Sequence, residues 1–119
     1  MKEAIRSLLA EYVLAADEAE ARRCLRELHV PFYAHEAVKQ AVVIAVEQPQ
    51  HGAALVRLLH KLVESGEVSL DQLARGFTRV WDRLDDLSLD VPDAPARLRA
   101  LIQSGNWAGE AARLLDAAA

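Results

Sequence analysis

Apolar residues recur along most of this chain at intervals of three and four. Ile5, Leu8, Leu9, Tyr12 and Val13 form a first stripe, the spacing of an amphipathic helix, which should end near Ala15-Ala16. Asp17 followed by Glu20 reads as a capping-box variant opening a second helix, with Ala21, Cys24, Leu25 and Leu28 on its inner stripe. His29-Val30-Pro31 breaks that helix, and Pro31 suits the start of a third. From Ala37 to Val46 the third is apolar nearly all round, as expected of a central, buried helix. Gln48-Pro49-Gln50-His51-Gly52 reads as a loop. Leu55, Leu58, Leu59, Leu62 and Val63 make a fourth helix, with Gly66 as the residue just past its end. Ser69 and Gln72 form a capping box for a fifth, whose stripe is Leu70, Leu73, Phe77, Trp81 and Leu84. Asp93 is a good N-cap for a sixth, with Leu98, Leu101 and Ile102 inward and Ser104-Gly105 at its end. A seventh, shorter helix holds Trp107, Ala111, Leu114 and Leu115. Short linkers make neighbouring helices antiparallel. The predicted fold is all-α, a stack of six to seven helices in HEAT-like hairpins, forming one domain over residues 1–119.

One stretch departs from the helical period. In Asp85-Asp86-Leu87-Ser88-Leu89-Asp90-Val91-Pro92, Leu87, Leu89 and Val91 alternate with Asp86, Ser88 and Asp90. Alternation predicts an extended segment with one face anchored, and Pro92 disfavours helix at Val91. Extended, Asp86 and Asp90 would project to one side roughly 13 Å apart, at about 3.3 Å per residue. Asp82, Asp85 and Asp86 would then crowd the C-terminal end of the fifth helix, where the macrodipole disfavours negative charge by roughly 0.3–1 kcal/mol each. A local cost without structural gain points to binding, although surface acids also serve solubility.

Composition supports the helical reading and narrows the function. Apolar residues make up 52% of the 119, but aromatics only 5%, so Ala, Leu, Glu and Arg dominate over strand formers. The formal net charge is −4, with acids and bases interspersed. No basic stripe marks a nucleic-acid interface, so direct nucleic-acid binding is not expected. A basic protein partner is compatible. The single cysteine, Cys24, excludes an internal disulfide and suits a reducing compartment. No apolar run reaches membrane-spanning length, and Lys2, Glu3 and Arg6 leave no signal peptide. A soluble intracellular chain is expected, cytoplasmic with the nucleus as a second compartment.

Residues for catalysis or metal binding are not evident. His51 and His60 stand nine apart, on opposite faces of one helix. No histidine pair has the i, i+4 spacing of a helical zinc site. Cys24 falls on a core stripe and reads as a small buried side chain rather than a nucleophile. Asp82, Asp85, Asp86 and Asp90 lack the spacing, glycine and closing glutamate of a calcium loop. A phosphate-binding glycine loop is missing too. Neither an enzyme nor a cofactor is expected.

An ordered set of short motifs resembles the MA-3 domain family. Leu8-Leu9-Ala10-Glu11-Tyr12 with Asp17-Glu18-Ala19-Glu20-Ala21 resembles the family's opening "EY…GD..EA". Cys24-Leu25-Arg26-Glu27-Leu28-His29-Val30-Pro31 is similar to "CL.EL.VP". His35-Glu36-Ala37-Val38 with Ala41-Val42-Val43 resembles "HELV..AI". Gln72-Leu73-Ala74-Arg75-Gly76-Phe77 is similar to "Q...GF", and Leu89-Asp90-Val91-Pro92 with Ala94-Pro95 to "LD.P.AP". The set spans residues 4 to about 102 in the right order. The resemblance implies stacked antiparallel helices without catalysis. It implies a module that binds the DEAD-box RNA helicase initiation factor 4A and regulates cap-dependent translation initiation, repression being favoured over a scaffold role that supports it, as a monomer and as one of tandem modules. It also implies partner-binding carboxylates at Asp86, Asp90 and Glu47. A generic helical-repeat scaffold, binding another protein or peptide or a second copy of itself, is the alternative.

Overall fold

A computed structural model of the chain describes residues 2–28 and 34–105. In order, the elements are α1 (Lys2–Ala15), α2 (Glu18–Glu27), α3 (Ala34–Glu47), a 3₁₀ turn (Pro49–His51), α4 (Gly52–Glu64), α5 (Leu70–Trp81), α6 (Leu84–Asp90) and α7 (Ala94–Gly105). Among the described residues the structure is helix and connecting turn, as the periodicity predicts except over residues 85–92. The break at His29-Val30-Pro31 and the helix expected around Trp107, Ala111, Leu114 and Leu115 lie outside the described residues.

Helix starts and stops follow local chemistry. Asp17 caps α2, its carboxylate accepting from the Glu20 backbone N–H at 3.0 Å. Ser69 and Gln72 form a complete capping box at α5: the Gln72 N–H donates to Ser69 Oγ at 3.1 Å, and the Ser69 N–H to Gln72 Oε1 at 3.0 Å. Such caps satisfy N–H groups that have no partner within the helix. Gly66 ends α4 with φ of +83°, a left-handed conformation that glycine adopts without penalty. Its N–H donates to the Val63 carbonyl, and Val68 reaches back to Leu62. Val68 is thereby folded into the core, at 1% exposure. Ala16, past the end of α1, also lies in the left-handed region, with φ of 56°.

The core is organised around α3. Ala34, Ala37, Val38, Ala41, Val42, Ala45 and Val46 are all buried, and α1, α4, α5 and α7 each pack on this helix. The near-uniform apolarity of Ala37–Val46 is therefore explained by neighbours on several sides. α5 comes especially close, because Gly76 stands where any Cβ would lie 2.5 Å from Val38 Cβ. The buried stripe of α5 is Leu73, Ala74, Gly76, Phe77 and Val80. Leu70, expected on that stripe, is 39% exposed, and Leu84 belongs to α6. Cys24 is half-buried at the edge of the core.

Polar contacts tie the outer helices to this centre. Tyr12 Oη donates to the Ala54 carbonyl at 2.7 Å, joining α1 to α4. Glu67 receives Arg22 Nε at 3.3 Å, Arg26 Nη1 at 3.0 Å and Ser65 Oγ at 2.8 Å. One carboxylate thus clamps α2 to the turn between α4 and α5.

Candidate protein-binding surface

Residues 84–90 are helical, and this corrects the extended segment predicted from the alternation. Leu84, Leu87 and Val91 recur at helical spacing and pack against the core. Leu89, assigned by the alternation to the anchored face, is instead 83% exposed. A turn at Asp82-Arg83 separates the segment from α5, with the Arg83 N–H donating to the Val80 carbonyl at 3.0 Å. Leu87 and Val91 then complete helical bonds to Arg83 and Leu87, at 3.0 and 2.9 Å. The effect of Pro92 is confined to Val91, whose φ and ψ of −128° and 89° leave the helix.

The charge geometry changes with the backbone. Asp86 and Asp90 stand four apart on one helix, so their Cβ atoms are about 5–6 Å apart instead of 13 Å. The comb becomes a close pair. Asp85 and Asp86 lie in the first turn of α6 rather than trailing α5. There the macrodipole favours carboxylates by roughly 0.3–1 kcal/mol each, the reverse of the cost predicted. What opposes the arrangement is the like-charge pair itself, at about 0.2–0.5 kcal/mol.

Glu47 is the exposed last residue of α3. Arg97 of α7 donates from Nη1 to the Val46 carbonyl at 2.9 Å, pinning α7 to the end of α3 beside Glu47. The Arg97 backbone N–H also donates to the Asp93 carbonyl at 2.9 Å, which opens α7 directly after the acidic segment. Arg99 lies 5.5 Å over the Trp81 ring, holding α7 to the end of α5. Between α3, α5 and α6 runs a groove of about 240 Å³ lined by Lys39, Val43, Val80, Arg83, Asp86 and Leu87. Asp86 is on its rim, and Val43 precedes Glu47 by one turn on α3. The fold therefore pairs Asp86 with Asp90 directly and sets Glu47 at the end of the neighbouring helix.

Most acids outside this region are ion-paired; among the described residues Glu3 and Glu11 of α1 and the cap Asp17 are the exceptions. Glu18, Glu20, Glu27, Glu36, Glu64, Glu67 and Asp71 each meet a Lys or Arg. Among the described residues Glu47, Asp82, Asp85, Asp86, Asp90 and Asp93 form no such ion pair. Within residues 82–93, five aspartates and Arg83 give a formal −4, equal to the net charge of the whole chain. Exposed Leu89 and the cationic rim of the groove at Lys39 and Arg83 were missed in the sequence. Placing residues 84–90 on a helical wheel would have found Leu89.

Among the described residues no three His, Cys, Asp or Glu side chains converge as metal ligands would. Burial and neighbouring Glu20 raise the pKa of the Cys24 thiol, which disfavours the nucleophilic thiolate. The surface offers fixed charge and exposed apolar area, suited to docking a protein.

Residues 1–109 match the family model of the MA3 domain. MA3 domain-containing translation regulatory factor 2 of Arabidopsis thaliana is 43% identical over 109 residues, covering 92% of this chain and 16% of that protein. Factor 1 of the same plant is 41% identical over 109 residues, with 89% and 16% covered. Programmed cell death protein 4 of Rattus norvegicus is 36% identical over 104 residues, covering 86% of this chain and 22% of that protein. The chain spans about a sixth to a fifth of the length of these relatives.

Proposed function

The chain belongs to the MA3 domain family, as its ordered motifs implied, and on that premise we propose that it is a non-catalytic module that binds the DEAD-box RNA helicase initiation factor 4A and represses cap-dependent translation initiation. The relatives' names, translation regulatory factors among them, support the regulatory role. The observation that carries the site is the cluster of exposed carboxylates on and around α6 that take no part in the ion pairing of the described fold, whereas α2, α4 and α5 pair every acid they carry.

A helicase core displays Arg and Lys to hold RNA phosphates. Two carboxylates one helical turn apart can accept charge-assisted hydrogen bonds from such side chains. Occupying those cations competes with RNA. Glu47 adds a third contact from the end of α3, and the rigid attachment of α7 to α3 lowers the ordering cost of binding. Because α6 carries its carboxylates on a helix, they are already placed before the partner arrives.

Calorimetry of the purified chain with initiation factor 4A tests this reading. The Asp86→Ala, Asp90→Ala double variant is expected to lose about 2–5 kcal/mol where the charge pairs are buried, and Glu47→Ala a smaller part. Absence of binding by the unaltered chain would refute the helicase reading. Binding indifferent to the double variant would refute the site.

A further inference from the structure

Three leucines among the described residues are exposed, and Leu89 at 83% stands out by its surroundings. The inward stripe of α6 is already complete with Leu84, Leu87 and Val91, so Leu89 adds nothing to the packing of the helix. Asp86 precedes it by three residues and Asp85 by four, which puts both beside it on the helix surface, and Asp90 is its neighbour in sequence. An isobutyl group is thus held in water amid carboxylates. A single exposed leucine is ordinary. One displayed from a short helix that also carries the chain's surplus charge has the layout of an interface centre, an apolar side chain ringed by polar groups that exclude water once docked.

Resting on the helicase reading above, we propose that Leu89 is the apolar anchor of that interface. Its side chain enters a nonpolar pocket of the partner, and the rim of that pocket carries the Arg and Lys side chains that meet Asp86 and Asp90. The occupant follows from charge: a surface facing this leucine must also face Asp85, Asp86 and Asp90, so a basic protein surface fits and an acidic one does not. The division of labour is distinct. The carboxylates supply orientation and a salt-sensitive attraction, while Leu89 supplies a contact that salt does not weaken.

The test is calorimetric titration of initiation factor 4A with the 119-residue chain at low and physiological ionic strength. Burial of one leucine converts to roughly 10- to 100-fold in affinity, so Leu89→Ala should weaken binding by about that factor. The slope of affinity against salt should stay as in the unaltered chain. Leu89→Met should bind within a few-fold of the unaltered chain, and Leu14→Ala, which removes the other leucine above 80% exposure, should bind as tightly. Asp86→Ala with Asp90→Ala should flatten the salt slope instead. Circular dichroism melts should coincide for all the leucine variants, and Leu89→Gln provides a second test if Leu89→Ala melts early. Unchanged affinity for Leu89→Ala and Leu89→Gln beside weakened aspartate variants would overturn the anchor and leave the helicase reading standing. Failure of the unaltered chain to bind would overturn both. Sedimentation showing a dimer that Leu89→Ala dissolves would assign the leucine to a second copy of the chain and overturn the anchor.

Discussion

Gly76→Ala should destabilise this protein although alanine is the better helix former. An ideal Cβ at Gly76 would lie 2.5 Å from both Cβ and Cγ1 of Val38, and 3.0 Å from the His35 carbonyl oxygen. Carbon atoms pack at about 3.5–4.0 Å, so the first two contacts are short by roughly 1 Å. Val38 cannot yield, since its Cβ is fixed to the α3 backbone and its side chain is β-branched and fully buried. α3 and α5 must move apart. Overpacking costs about 1–3 kcal/mol, and the upper end applies where backbone has to shift. The helix-propensity gain returns about 1 kcal/mol, leaving a net loss of about 2 kcal/mol. At roughly 4 °C per kcal/mol for a chain of this size, the melting midpoint falls by about 8 °C. Urea titration should show a lower midpoint at unchanged slope. Val38→Ala should not rescue the variant, because Val38 Cβ itself is one of the clashing atoms. A variant as stable as the parent, or more so, would refute the close approach of these helices.

Two further substitutions test the local chemistry. Ala16 occupies the left-handed region at φ of 56° and is exposed, so Ala16→Gly should add roughly 0.5–1 kcal/mol; a fall in the urea midpoint would contradict this. Burial, with Arg79 and Arg75, holds the His35 imidazole below its ordinary pKa, Lys39 acting in the same sense and Glu36 against. The unfolded chain therefore takes up that proton more readily, and stability present above about pH 6.5 is lost as pH falls towards the folded value. Urea midpoints at neutral and mildly acidic pH should fall less in His35→Gln than in the parent, and an undiminished fall would refute the assignment.

Long segments with many neighbours were legible from the sequence. The all-round apolarity of Ala37–Val46 announced a central helix, and Ser69 with Gln72, Asp17 and Gly66 marked ends that the structure places within a residue. Residues 84–91 were misread because their apolar positions satisfy two periods. Leu87, Leu89 and Val91 alternate, while Leu84, Leu87 and Val91 follow helical spacing, and so short a run cannot arbitrate between them. The core decided it. A helix packs three of the four apolar residues against the core and satisfies its backbone internally, whereas a lone strand would leave its own N–H and C=O groups without a ladder. Asp86 and Asp90 are exposed on the helix as they would be on a strand, but the helix brings them one turn apart. Leu89 was hidden by the same alternation, which assigned it to the interior.

With its surplus formal charge confined to residues 82–93, the molecule carries a field of its own. A cationic partner of the kind proposed would feel that field before any side chains touch, turning the two bodies so that the α6 edge leads. Such attraction acts on the rate of encounter and decays within a Debye length of about 8 Å at physiological ionic strength. Moving the same four charges evenly over the surface would keep the net charge and lose the orientation. On the proposed helicase reading, where the aspartates sit would govern how fast the protein finds its partner as well as how firmly it stays.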